Sequence, residues 1–167
     1  MATLLTPVCD ITSAGRAPPG MSSGFDVRPC RRSDIAALGE LYFAAYDPGV
    51  AGANLAEATE DIAASYAGRY GELWPEASLV ATAGSELVAA ILVVQRAPWK
   101  DTPDCPFVIE LFTARAHRRK GLASALLRGA REVAARHGRD CLALRVLDDN
   151  AGARDLYRRC GFREWSH

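Results

Sequence analysis

Two stretches of this 167-residue chain hold residues whose types and spacing could do chemistry. In Arg118-Arg119-Lys120-Gly121-Leu122-Ala123, three cations stand directly before a glycine that opens a helix. Unpaired backbone N–H groups at a helix N-terminus carry a partial positive charge, so such a junction binds anions, and pyrophosphate is its natural ligand. The glycine allows close backbone approach, and the small Ala123 leaves room in the first turn. The pattern is neither GxxxxGKS/T nor GxGxxG, which disfavours a nucleoside-triphosphatase loop and a dinucleotide fold. On chemistry alone a solvated basic turn remains the alternative. Upstream, Glu110 interrupts the apolar run Phe107 to Thr113. A lone carboxylate in a central strand either faces a cleft or pairs with a cation such as Arg145.

The elements around these residues follow from periodicity and breakers. Phe25 to Pro29 alternates as a first strand, and Ser33 or Asp34 caps a helix that puts Ile35, Leu38, Leu41, Tyr42 and Ala45 on one face. Glu57 to Tyr70 reads as a second helix, with Glu57, Glu60 and Asp61 in its first turn, where carboxylates suit the dipole. Ser78 to Ala83 and Leu87 to Gln95 form a hairpin across Gly84 and Ser85, and the prolines of 97 to 106 mark a loop. Phe107 to Thr113 is a strand, Gly121 to His137 the longest helix, and Cys141 to Leu147 a buried strand. Asn150 to Cys160 makes a last helix and Phe162 to Trp165 a short final strand. Helices that follow strands 107 to 113 and 141 to 147 imply parallel pairing in the centre, beside an antiparallel hairpin, so the class is α/β with a mixed sheet. Residues 1 to 23, rich in Ser, Gly, Pro and Thr without periodicity, read as a mobile tail before one domain spanning 24 to 167.

Composition bounds the function. Apolar and charged fractions are those of a globular protein, and no apolar run approaches the roughly 20 residues that span a bilayer. The first residues lack the basic and apolar regions of a secretory signal, so the expectation is a cytoplasmic protein. Zero net charge argues against nucleic-acid binding by the whole molecule. The charge is uneven, with 7 Lys/Arg against 13 Asp/Glu in residues 1 to 104 and 13 against 7 thereafter. That asymmetry suits an anion on the C-terminal half and a cation on the N-terminal half, or two solvated faces. The five cysteines form no CxxC pair and no zinc cluster, so no metal is expected. They read as reduced thiols, with a nucleophilic Cys105 or Cys160 the lesser alternative.

Arg118-x-x-Gly121-x-Ala123, preceded by a strand, resembles the R/Q-x-x-G-x-G/A signature of the GNAT superfamily of acetyl-CoA-dependent N-acetyltransferases. Asn150-x-x-Ala153-x-x-Leu156-Tyr157-x-x-x-Gly161-Phe162 resembles that family's second hallmark, and FDVRPCRRSDIAAL its first strand and helix. The similarity covers residues 25 to about 165. It implies a mostly antiparallel mixed sheet with a central parallel pair splayed around CoA, flanked by about four helices.

The resemblance also implies roles. Leu111, Phe112, Thr113, Arg118, Arg119, Lys120, Gly121, Leu122, Ala123, Ser124 and Asn150 would contact acetyl-CoA as co-substrate. Backbone N–H groups from Arg119 to Ala123, with the Arg118 and Lys120 side chains, would hold the pyrophosphate. Arg119 stands where many relatives have glycine, a small cost if its φ is negative. The Thr113 N–H would stabilise the developing oxyanion. Asn150 would contact the pantetheine arm or cap the last helix, or both. An alkylamine has a pKa of about 10, so attack needs a base, and Glu110 is placed for that role. Tyr157 would protonate the departing thiolate or, alternatively, pack on the sheet. Tyr42, Tyr46, Trp74 and Trp99 lie on elements that build the family's acceptor pocket, each also readable as core or surface, and His117 reads as solvent exposed. The expected reaction is direct acetyl transfer through a tetrahedral intermediate to a primary amine of a small cationic molecule, by a monomer or homodimer. A protein N-terminus or lysine is the alternative acceptor, and a catalytically silent CoA-binding module the alternative class. Many relatives continue past the counterpart of Gly161-Phe162 through another strand, so the acceptor cleft is expected to be open or completed by a second subunit.

Overall fold

The structure, a computed structural model, describes residues 1–12 and 21–166. Two short strands open it, β1 (Leu4–Leu5) and β2 (Pro7–Asp10). Then come β3 (Asp26–Pro29), α1 (Ile35–Ala45), α2 (Leu55–Tyr66), β4 (Leu79–Ala83), β5 (Glu86–Val94) and β6 (Phe107–Thr113). After β6 follow α3 (Leu122–Arg136), β7 (Cys141–Leu144), β8 (Val146–Leu147), α4 (Ala151–Arg159) and β9 (Phe162–Glu164). Seven strands form one sheet in the order β3-β4-β5-β6-β7-β2-β9, and β1 pairs separately with β8. Among these neighbours only β6 and β7 run parallel. This is the expected mixed α/β architecture with four helices.

Helix α3 covers one face of the sheet because Leu122, Leu126, Ala130, Val133 and Ala134 fall on one stripe and pack against Leu79, Ala89, Ile91 and Val93. Helices α1 and α2 cover the other face, with Leu38, Leu41, Tyr42, Ala58 and Ile62 against Val80, Ala90, Leu92 and Phe112. They cross closely at Gly39, where a Cβ would lie 2.3 Å from Thr59 Oγ1. Asn54 caps α2 by accepting from the Glu57 N–H, and that helix begins two residues before the expected Glu57.

Two expectations are corrected here. The first twelve residues are not a tail: Val8 and Cys9 of β2 pair antiparallel with Ala143 and Leu142 of β7 on one side and with Arg163 and Phe162 of β9 on the other. Cys9 is 1% exposed and part of the α3-side core. The remainder of the predicted tail, 13–20, lies outside the described residues. The slot between β7 and β9 is thus filled by the chain's own Pro7–Asp10. The predicted strand Cys141 to Leu147 is also two pieces. It breaks at Arg145, whose guanidinium stacks on Trp99 and bonds Asp101, and Leu147 beyond the break is exposed.

The register of β6 builds the site. Leu92 faces Glu110, but Val93 faces Val108, so Ile109 is an extra residue in β6. A bulge bends a strand and redirects the side chains beyond it. Pairing with β7 covers only Phe107 and Val108. Bulge and parting of the parallel pair coincide at Ile109, leaving the second half of β6 without a neighbour on its β7 side among the described residues.

Candidate active site

The bulge places Glu110 opposite Leu92, on the face that α1 and α2 cover. There its carboxylate meets hydroxyls rather than cations. The Tyr42 O–H lies 3.3 Å from Glu110 Oε1 and the Tyr46 O–H 3.4 Å from Oε2. Tyr42 also reaches Asp61 Oδ2 at 3.2 Å, and Tyr70 donates a short hydrogen bond to the other Asp61 oxygen. Burial first, and the like charge of Asp61 second, push the Glu110 carboxyl up to about 8, against the pull of the two phenols. Arg145, its alternative partner from sequence, is engaged by Asp101 instead.

Alternation along β6 fixes the free backbone groups. The Ala114 N–H returns to Val88 O on β5 at 2.8 Å, so the N–H groups of Leu111 and Thr113 point to the parted side. The Leu111 carbonyl faces the same way and accepts from Tyr46 at 3.4 Å. Phe112 is different: 4% exposed, it packs between the rings of Tyr42 and Tyr46, so its side chain is core and does not reach the cleft.

At the turn before α3, Arg119 has φ 62° and Gly121 φ 78°, both left-handed. The condition of a negative φ at Arg119 is not met, which makes the glycine of relatives intelligible. No side chain caps α3, and its first helical bond is Ala125 N–H to Gly121 O. The N–H groups of Leu122, Ala123 and Ser124 are therefore presented unpaired by the helix, which fits a pyrophosphate. The neighbouring cations serve the protein. Arg118 donates to the Ala45 carbonyl and Arg115 to Ala44 O, closing the C-terminus of α1, while Lys120 Nζ sits 5.7 Å from the Phe25 ring centroid. The Leu122 side chain is buried in the core, leaving only its backbone for a ligand.

Asn150 caps α4 by accepting from the Ala153 N–H at 3.1 Å, the second of its two readings. Tyr157 packs against Phe162, and burial, then the Glu110 charge, push its phenol up to about 12. It keeps its proton at neutral pH. Trp74 stacks edge-on against His137 in the α3-side core, and Trp99 against Phe107. His117 is half-buried with its ring edge-on to Phe25, not solvent exposed. Burial raises the Cys105 and Cys160 thiols, which is wrong for a nucleophilic thiolate. Asp61 and Tyr70 were missed from sequence: Asp61 reads as a dipole-stabilising surface acid, and its partners come from a helix crossing that no local pattern displays.

The family model for the acetyltransferase (GNAT) family matches residues 37–162. Among curated protein sequences none is significantly similar to the chain. A GCN5-related N-acetyltransferase from Sphaerobacter thermophilus superposes with TM-score 0.74 at 21% identity, over 98% of this chain and 49% of that one. This chain thus spans about half of that protein's length. An aminoglycoside antibiotic 6'-N-acetyltransferase from Acinetobacter haemolyticus gives 0.65 at 19% identity, over 85% and 93%. The ribosomal-protein-S18-alanine N-acetyltransferase from Escherichia coli gives 0.64 at 19%, over 85% and 79%. At these identities the structural likeness speaks for the fold. No helix among the described residues is long and apolar enough to cross a membrane. The chain belongs to the acetyltransferase (GNAT) family, whose members take acetyl-CoA as co-substrate.

Proposed function

We propose that this chain transfers the acetyl group of acetyl-CoA to the primary amine of a small cationic molecule. The observation that carries the reading is Glu110. It is a carboxylate with no cationic partner among the described residues, held by phenols at the point where β6 and β7 part. An amine that docks there loses its proton to Glu110, whose raised affinity suits a base working near neutral to mildly alkaline pH. The Thr113 and Leu111 N–H groups face the same gap and are the donors for a carbonyl oxygen as charge develops on it. Tyr157 supplies the proton for the departing thiolate. Leu122, Ala123 and Ser124 hold the pyrophosphate through their backbone. Acetyl-CoA supplies the activated acyl group, and the protein supplies position and proton transfer. The excess of acidic residues in the first 104 positions favours a cationic acceptor.

Release of CoA thiol from acetyl-CoA with a panel of diamines, aminoglycosides and lysine-containing peptides tests the reading. Turnover with small polycationic amines above peptides supports it. No turnover with any amine, at a Tm raised by acetyl-CoA, makes the chain a CoA-binding module; an unmoved Tm at many times a plausible Kd removes the co-substrate as well.

A further inference from the structure

Tyr42 carries one hydroxyl proton and stands 3.3 Å from a carboxylate oxygen of Glu110 and 3.2 Å from one of Asp61. One proton cannot satisfy both carboxylates at once. Burial, then the charges of Glu110 and Asp61, raise the Tyr42 phenol, so it stays protonated and must choose which acid to serve. When it turns to Asp61, Glu110 loses that donor and holds a proton more firmly. When it turns to Glu110, Asp61 retains the Tyr70 donor.

From this sharing we infer that Asp61 is a positioning residue for acetyl transfer, setting the proton affinity of Glu110 through the Tyr42 hydroxyl and carrying the reaction's proton out to solvent. The inference rests on the reading of Glu110 as the base. The proton is accounted for at each atom. The amine N–H proton passes to Glu110, and from there to the Tyr42 oxygen as the phenol gives its own hydrogen to Asp61 Oδ2. Asp61, half-buried on α2 and nearer bulk water than Tyr42, releases it. Glu110 ends as a carboxylate, Tyr42 as a neutral phenol and Asp61 as a carboxylate, while the second N–H proton, shed by the nitrogen as the amide forms, replaces the one Tyr157 gives to the departing thiolate and restores that phenol.

The other groups that bear on Glu110 do not replace this route. Tyr46 on α1 bonds Glu110 and the Leu111 carbonyl, Tyr157 on α4 interacts with Glu110 by charge alone, and the Arg118 charge acts on Tyr46. On its other carboxylate oxygen Asp61 accepts from Tyr70, which lies beside Arg69. Glu110's chain of hydroxyls and acid leads to the surface by α2.

The test uses the free protein labelled with carboxyl-13C glutamate, the Glu110 signal being the one that vanishes in Glu110→Gln. Its titration midpoint is followed in wild type, Asp61→Asn and Asp61→Ala, each checked for native circular dichroism. Removing the Asp61 charge, which leaves the Tyr42 hydroxyl to serve Glu110, lowers the midpoint by roughly one pH unit in either variant, and by less when Tyr42→Phe is already present. Tyr42→Phe, which deletes a donor to the carboxylate, raises it. A midpoint unmoved in both Asp61 variants overturns the inference. So does loss of activity in Asp61→Asn at every pH with the kcat/KM limb in its wild-type place, the signature of a merely structural acid. No acetyl-CoA or amine is present in the titration, so its result is independent of whether wild type acetylates an amine.

Discussion

Asp34 and Glu110 are both withdrawn from water, and they behave in opposite ways. Asp34, 8% exposed at the start of α1, takes a fork of bonds from Arg28 at 2.8 and 2.9 Å and a third from the Arg31 N–H at 2.7 Å. The Arg28 guanidinium, outweighing the cost of burial, holds its carboxyl below the ordinary range. Glu110 sees phenols and a second acid, and is raised. Burial alone thus says little about the role of a carboxylate. The sign of its neighbours separates a staple that joins β3 to α1 from a group kept ready to exchange a proton.

The comparison can be broken by changing each member. Glu110→Gln should lower kcat/KM by roughly 10²- to 10⁴-fold while the rise in Tm with acetyl-CoA persists, because the base is lost and the phosphate site is untouched. Asp34→Ala should leave kcat/KM within about threefold in the folded fraction but cost about 2–3 kcal/mol in urea unfolding, since it strands a half-buried guanidinium.

Stability against pH should separate them further. Glu110 binds more protons folded than unfolded between about 4.5 and 8, so its contribution is complete below that window and lost as pH rises through it. Asp34 has a lowered pKa, so its contribution is present above the ordinary aspartate value and lost as pH falls through the folded one. Wild type should therefore fall by about 2 kcal/mol relative to Glu110→Gln between pH 5 and 9, and Asp34→Asn should flatten only the acid limb. The smallest effect belongs to the phosphate turn: Arg119→Gly should stabilise by about 1 kcal/mol in the same denaturation, relieving the left-handed φ of 62°.

Legibility from sequence followed the range of the forces. Glu110 could be read because a charge inside an apolar run is anomalous wherever it occurs, and Arg118 to Ala123 because a helix start is a local event. The four helices and the central strands follow from periodicity. Strand β2 could not be read: Pro7-Val8-Cys9-Asp10 has little pattern of its own and becomes a strand because β7 and β9 leave a slot between them. The bulge at Ile109 and the sharing of Tyr42 by two acids are equally products of packing, one of register against β5 and the other of the α1–α2 crossing. The bond that Arg118 donates to the open Ala45 carbonyl at the end of α1 is likewise a tertiary contact that its motif position does not display.

The central claim is that Glu110 is the base for acetyl transfer to an amine. Its most direct test is the pH profile of kcat/KM for the best amine of the panel, in wild type and Glu110→Gln. Wild type should rise to a limb near pH 8 that is missing from the variant's much lower profile. A Glu110→Gln profile with the wild-type limb and undiminished height would contradict the account.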